Sequence, residues 1–227
     1  MASKPVTAAA AARPDEPARD CPLCPRLVAY RTAQRVAHPD WFNAPVPVFG
    51  SVAARLLIVG LAPGVAGANR TGRPFTGDFA GTLLYETLID FGFARGVFAA
   101  RSDDGLELID CLIANAVRCV PPANKPTPAE ISTCRPFLLA RIAAMQNLRA
   151  IVALGRVAHE QTVSVLGLRR SAYPFGHGAR HRLPGSIELF DSFHCSRYNT
   201  NTGRLTRDMF RAMFGDVRDA LPSRPIG

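Results

Sequence analysis

The sequence predicts an α/β fold in which a parallel sheet is covered on both faces by helices. Two observations carry this expectation. Short, almost continuously apolar runs alternate along the chain with segments of helical periodicity, the pattern of strands buried on both sides. Unusual loops follow these runs near residues 60, 116 and 194. In folds of this class ligands sit beyond the carboxyl ends of the strands, so the three loops should converge on one edge of the sheet.

The elements follow in order. Pro25 suits the first residue of a helix, where its missing N–H is not needed, and Leu27, Val28 and Ala33 would share one face of it. Residues 55–62 (RLLIVGLA) read as a buried strand entering a glycine-rich loop that runs from Pro63 to Ala80. Leu84, Leu88 and Phe91 then recur at helical spacing. A second strand is expected at 108–118 (LIDCLIANAVR). After it Thr127, Pro128 and Glu130 spell an N-cap, a first-turn proline and a capping box. A third strand at 150–155 leads into a helix from Arg156 to Leu166, and a basic loop covers 167–186. The last strand, IELFDSFH, opens into CSRYNTNTG, and Thr206 caps a closing helix near 206–220.

The 227 residues suit one domain with a sizeable core, taken as residues 20–227, with residues 1–19 a disordered tail that offers little to bury. Hydrophobic content of 48% against 20% charged places the chain among soluble globular proteins. No apolar run reaches the ~18 residues of a membrane span, and the N-terminus lacks the apolar core of a signal peptide, so a cytoplasmic location with no membrane partner is expected. A formal net charge of +9 favours a polyanionic partner, because cationic side chains displace counterions from phosphate backbones. In a reducing compartment the six cysteines are read as metal ligands or buried thiols rather than disulfides. Cys21 and Cys24 form a CPLC pair, and Cys119 and Cys134 a looser second pair. Cys111 and Cys195 read as ordinary buried thiols.

Three loops and one basic stretch could carry chemistry. The loop 60–81 is dense in glycine, which lets backbone N–H groups approach a ligand, but it lacks the Lys-Ser/Thr of a phosphate loop and the spacing of a dinucleotide fingerprint. Asp78, just before a helix start, is either an N-cap or a functional acid. Asn115 ends the second strand, and His194 ends the last one ahead of Ser196, Arg197, Tyr198 and Asn199. Arg169, Arg170, Arg180 and Arg182 lie among aromatic and histidine residues, a composition suited to nucleic acid because rings stack on unpaired bases. Four cysteines at this spacing fit either a structural zinc or an iron–sulfur cluster.

These segments together resemble one family. CPLC, GLAPGVAGANRTGRPFTGD, NAVRCVPPANKPTPAEISTC and HCSRYNTNTGRLT, in this order, are similar to the family 5 (type B) uracil-DNA glycosylases, and the resemblance covers residues 20 to about 215. NRTGRPFTGD follows type B, where the related family 4 commonly has a shorter acidic stretch before GRPF. The resemblance implies a three-layer α/β/α domain with a four-stranded parallel sheet. It also implies a [4Fe–4S] cluster on Cys21, Cys24, Cys119 and Cys134, and a monomer acting on DNA that contains uracil or other deaminated bases.

The implied activity is base-excision repair, hydrolysis of the N-glycosidic bond of uracil, with hypoxanthine, xanthine or other damaged bases as further substrates. Asp78 would hold the water-activating position, Asn115 would bond the base or the water, and His194 would donate to a uracil carbonyl. Phe75 would stack on the base, with Gly60, Ala62 and Asn69 around it. Arg197, Asn199 and the four arginines of the basic loop would grip DNA. Where many superfamily members carry Pro after the motif histidine, this chain has Cys195. The competing expectation is a non-catalytic nucleic-acid-binding module held together by a four-cysteine metal cluster, which would have no use for the Asp78, Asn115 and His194 set.

Overall fold

A computed structural model describes residues 16–221. Helix α1 (Pro25–Ala37) precedes a short strand β1 (Phe49–Gly50) and the first long strand β2 (Leu56–Gly60). Helices α2 (Ala68–Thr71) and α3 (Phe79–Asp90) follow, then a small antiparallel pair, β3 (Ala94–Arg95) with β4 (Glu107–Leu108). Next come β5 (Cys111–Asn115), α4 (Pro128–Ala144), β6 (Ala150–Leu154) and α5 (Arg156–Val165). The chain closes with β7 (Arg180–Leu183), β8 (Ile187–Ser192), α6 (Arg197–Asn201) and α7 (Arg207–Ala220).

The main sheet has the order β1-β5-β2-β6-β8-β7. Its four central strands are parallel, as the resemblance implies, and every residue of β2, β5 and β6 is buried. Two antiparallel edge strands, β1 and β7, extend it to six, so the sheet is mixed. Successive strand residues point to opposite faces. Leu56, Ile58, Ile113 and Val152 pack with α3 and α7 on one side, while Leu57, Val59, Leu112 and Ile151 pack with α4 and α5 on the other. The result is the expected α/β/α sandwich.

Several expected boundaries change. The basic stretch 167–186 is not all loop, because residues 180–183 pair with β8 as an edge strand. The glycine loop contains the one-turn helix α2, ended by Gly72 at φ 77, the left-handed conformation that glycine adopts without a side-chain clash. Helix α1 buries Leu27 and Arg31 rather than Leu27, Val28 and Ala33; its inner face meets cysteines and a carbonyl, which favour a guanidinium. Residues 1–15 of the expected tail lie outside the described residues. Glu16, assigned to that tail, is fixed: its carboxylate pairs with Arg118 and Arg141. Apolar burial alone gives no reason to order Glu16; the need of two buried guanidinium groups for a counter-charge does.

The capping box at α4 forms as read. The Thr127 hydroxyl accepts from the Glu130 N–H, and the Glu130 carboxylate accepts from the Thr127 N–H at 2.7 Å. The same carboxylate takes two bonds from Arg26, tying α4 to α1. Thr127→Ala should therefore lower unfolding free energy by about 1 kcal/mol, measured as a shift of the urea midpoint at unchanged slope.

Candidate active site

The parallel strands run in the spatial order β5-β2-β6-β8: the chain passes from β2 to β5 on one side, then back past β2 to β6 on the other, so the switch point lies between β2 and β6. In open α/β sheets ligands bind at such a switch point, beyond the strand carboxyl ends. Gly60, the last residue of β2 beside it, stands next to Asn115, the last residue of β5. A cavity of about 610 Å³ opens above them. Ala62, Phe75, Asp78, Asn115, His194 and Arg197 all line it, so the three expected loops do converge on one edge.

The floor depends on Gly60. A Cβ at this position would fall within 2.7 Å of the Phe75 ring and against the Asn115 side-chain oxygen. Gly60 therefore lies beneath the site and admits its neighbours. Phe75 sits at φ 52, a left-handed conformation unusual for a bulky residue, and its ring stacks on His194 with centroids 5.9 Å apart. Gly81 supports this bend, because any Cβ there would collide with the Phe75 carbonyl.

Asp78 has both of its expected roles in one geometry. It is the N-cap of α3, where one carboxylate oxygen accepts from the Gly81 N–H at 3.3 Å. The other oxygen faces Gly64 and Gly67, where a Cβ would stand 3.1 and 2.5 Å away. Burial raises the Asp78 pKa above the ordinary carboxylate range, opposed by the N–H groups of Gly81 and Ala80. Burial pushes the His194 pKa down to about 4, so its imidazole is neutral around pH 7.

Two anchors hold the histidine loop. Asn199 donates its side-chain amide to the His194 carbonyl at 2.8 Å, and the buried Cys195 thiol donates to the Ala80 carbonyl at 3.5 Å. Cys195 thus joins the histidine loop to the first turn of α3, the helix that Asp78 caps. At the rim Arg197 lies 5.4 Å above the half-exposed Phe79 ring.

Other expected site residues lie elsewhere. Asn69 does not line the cavity; its amide donates to Asn43 Oδ1 at 2.8 Å and fastens α2 to the segment after α1. Asn199 acts on the backbone of the histidine loop. The four arginines of the basic stretch are also absent from the cavity wall. Arg170 bonds Glu160 and Ser164 of α5, and Arg180 bonds Glu188 while lying over Phe190. Arg182 is directly opposite Glu188 across the β7–β8 pair, and Arg169 precedes a turn beside α5.

One element of the site has no signal in the sequence. Arg73 is clamped by Asp104 through two hydrogen bonds of 2.8 Å, with both side chains almost fully buried. Phe49, Tyr85 and Phe98 surround its guanidinium. The Tyr85 hydroxyl donates to the Pro74 carbonyl, and Arg73 Nε to Thr76. Together these fix the segment that carries Phe75 and leads to Asp78. Nothing in the local sequence around Asp104 marks it as the partner of a residue 31 positions earlier.

The four cysteines form a separate group. Cys21, Cys24, Cys119 and Cys134 line one small cavity with Leu27, Val117 and Phe137. Arg31 donates to Cys119 Sγ at 3.5 Å, and the Arg118 backbone N–H to Cys134 Sγ at 3.3 Å. Arg31 Nε and Arg118 Nη1 are buried without a hydrogen-bond partner among the described residues. Four convergent thiols with spare cationic donors beside them are a donor set for a soft metal centre.

Known proteins resemble the chain over most of its length. The profile of the uracil DNA glycosylase superfamily matches residues 47–218. The chain belongs to this superfamily. It is 48% identical over 196 residues to a type-5 uracil-DNA glycosylase of Thermus thermophilus, covering 84% of this chain and 89% of that one. A type-5 enzyme of Mycobacterium bovis is 41% identical over 206 residues, covering 87% and 77%. One of Pyrobaculum aerophilum is 39% identical over 191 residues, covering 82% and 83%. In this superfamily member, no helix of the described residues is long and apolar enough to cross a membrane.

The Arg73–Asp104 pair yields a stability prediction. Asp104→Asn leaves a buried guanidinium without its counter-charge, a loss of about 3–5 kcal/mol. Hydrogen bonds from Arg73 hold the Asp104 carboxyl well below its usual range. Its contribution is therefore complete above the unfolded value of about 3.9 and is lost as pH falls through the lower folded value. Melting curves of both proteins should differ most at pH 7 and converge on acidification. A gap independent of pH would count against this account.

Proposed function

We propose that this chain is a DNA base-excision glycosylase that hydrolyses the N-glycosidic bond of uracil in DNA. The observation that carries the reading is the cavity in which Asp78, Asn115, His194 and Phe75 meet at the strand ends. The type-5 names of its relatives point the same way. A base inside a duplex is unreachable, so the target nucleotide must leave the stack and enter this cavity. Phe75 and His194 then offer a ring surface to the base, and Arg197 at the rim offers a cation to the flanking phosphate. Hypoxanthine and xanthine are proposed as further substrates, since a cavity of about 610 Å³ does not exclude a purine by size.

Breaking the C1′–N bond leaves positive charge on the sugar and negative charge on the base. Asp78 is suited to orient the attacking water, accept its proton and stabilise the cationic sugar. Its raised pKa makes it a stronger base than an exposed carboxylate. The neutral His194 donates a hydrogen bond to the base carbonyl on which negative charge grows. Asn115, held at the end of β5, bonds the base or the water.

The cofactor reading is that Cys21, Cys24, Cys119 and Cys134 hold a [4Fe–4S] cluster. Its support is the convergence of the four thiols and the spare N–H groups of Arg31 and Arg118, which would offset the negative charge of a thiolate-bound cluster. When bound, the cluster supplies structural cross-linking between α1 and the β5–α4 connection, not a step in the reaction.

Two experiments test these assignments. A labelled duplex with one uracil opposite guanine should be cut at that position after alkali treatment. Asp78→Asn should slow excision by about 10²–10⁴-fold with DNA binding retained. The wild-type rate should fall as pH drops through the raised Asp78 value, and the variant should lack that acid limb; wild-type rates in the variant would remove Asp78 from the mechanism. Purified protein should be brown, with iron and sulfide in equal amounts. Cys119→Ser should lower both, together with folding yield. Colourless protein carrying zinc on the thiols would replace the cluster with a single ion.

A further inference from the structure

Three side chains of metal-ligating type meet at the β8–β7 side of the sheet, and none of them lines the cavity or the cysteine group. His159 lies in the first turn of α5, Asp191 on β8 and His181 on β7, with one ligand atom of each within 4.8 Å of the others. Asp191 is fully buried. Its Oδ1 lies 2.7 Å from His159 Nδ1 and its Oδ2 3.6 Å from His181 Nε2. That second oxygen has no hydrogen-bond partner among the described residues.

Both ring nitrogens of His159 face acceptors. Its Nε2 lies 2.8 Å from the Tyr173 carbonyl oxygen and donates to it. Its Nδ1 lies 2.7 Å from Asp191 Oδ1, so without an ion a proton stands between them. A metal-ligating histidine typically donates its other ring N–H to a backbone carbonyl, as Nε2 does here, and an ion would take the place of the Nδ1 proton. Four-coordinate bonds of about 2.0–2.1 Å give ligand–ligand edges of roughly 3.4 Å. The separations of 2.7 and 3.6 Å lie on either side of that value. His181 Nε2 lies 3.1 Å from the Pro174 carbonyl and donates to it without an ion; binding would displace this proton too and leave the carbonyl near the ion as a fourth oxygen.

We infer that His159, His181 and Asp191 form a second metal site that takes one zinc-class divalent ion. Two imidazoles and one carboxylate suit zinc or its neighbours rather than calcium or magnesium, which take all-oxygen sets. The ion would bolt the segment from Tyr173 through β7 to α5 and β8. His181, the most accessible of the three, lies on the path from the surface.

The test uses the full-length protein with its cysteine-bound metal in place. After dialysis against zinc and removal of free ion, elemental analysis should find one zinc per chain beyond whatever the cysteines hold. His181→Gln and Asp191→Asn should lose that equivalent at unchanged iron and sulfide. Cobalt loaded instead should give visible d–d bands in difference spectra without the near-ultraviolet charge transfer of thiolate ligation. It should also shift imidazole N–H proton signals of two histidines in the wild-type protein, a readout that does not depend on any variant folding. No retained zinc and no shifted histidine signals at millimolar cobalt would overturn the site and leave a proton between His159 and Asp191. Zinc retained equally by both variants would overturn it too.

Discussion

The active-site loop depends on one buried ion pair. Between β2 and α3 the chain must leave the sheet, place Phe75 in a left-handed bend and return so that Asp78 starts a helix. The short helix α2 within it is too brief to stand alone. Arg73 and Asp104 fix the geometry from outside the cavity, inside a box of three aromatic rings. The cost of burying two charges is offset only when geometry and hydrogen bonds are both good, and both hold: Asp104 also accepts from the N–H groups of Ala99 and Leu106. The bond from Tyr85 to the Pro74 carbonyl adds a neutral tether next to the charged one.

From that anchor the electrostatics of the cavity follow. The N-terminus of α3 carries a partial positive charge that stabilises a carboxylate, while burial destabilises it. Asp78 lies where these oppose, and burial is the larger effect. His194 receives no such compensation, so burial keeps it neutral. One fold edge thus presents an ionisable acid and a neutral donor facing the same space. Cys195 adds mechanical coupling, because its thiol bonds the carbonyl of Ala80 two residues beyond Asp78.

Much of this was legible in the sequence because it is local. The buried strands, the capping box of Thr127 and Glu130, the cap at Thr206 and the strand-end position of Asn115 all depend on neighbouring residues, whereas His194, read as the end of the last strand, lies two residues past β8. Pairings across distance were not legible. Glu16 meets Arg118 and Arg141 more than one hundred residues away, and its own surroundings are rich in alanine and proline. Asn69 and Asn199 were read as ligand-facing because they sit in site loops, yet each spends its amide on protein: Asn69 on Asn43, Asn199 on the His194 carbonyl. Among the arginines of residues 169–182, whose composition suggested a surface for DNA, Arg170 and Arg180 pair with Glu160 and Glu188 and stay half-exposed, pairings that the local sequence does not reveal.

The cysteine group and the cavity are not independent. Asn115 and Cys119 are four residues apart, and between them the chain stays bonded to the strand end: Ala116 donates to the Gly60 carbonyl and Val117 to that of Leu61. Farther along the same connection Asn124 lines the cavity, and α4 then brings in Cys134. Arg118 lies between the two sites, exchanging backbone and side-chain bonds with Val46 while its own N–H reaches Cys134 Sγ. Whatever the thiols bind therefore fixes the segment that presents Asn115 and Asn124. A change at the thiols would therefore reach the cavity through the positions of these two side chains, with Asp78 and His194 still in place on their separate anchors.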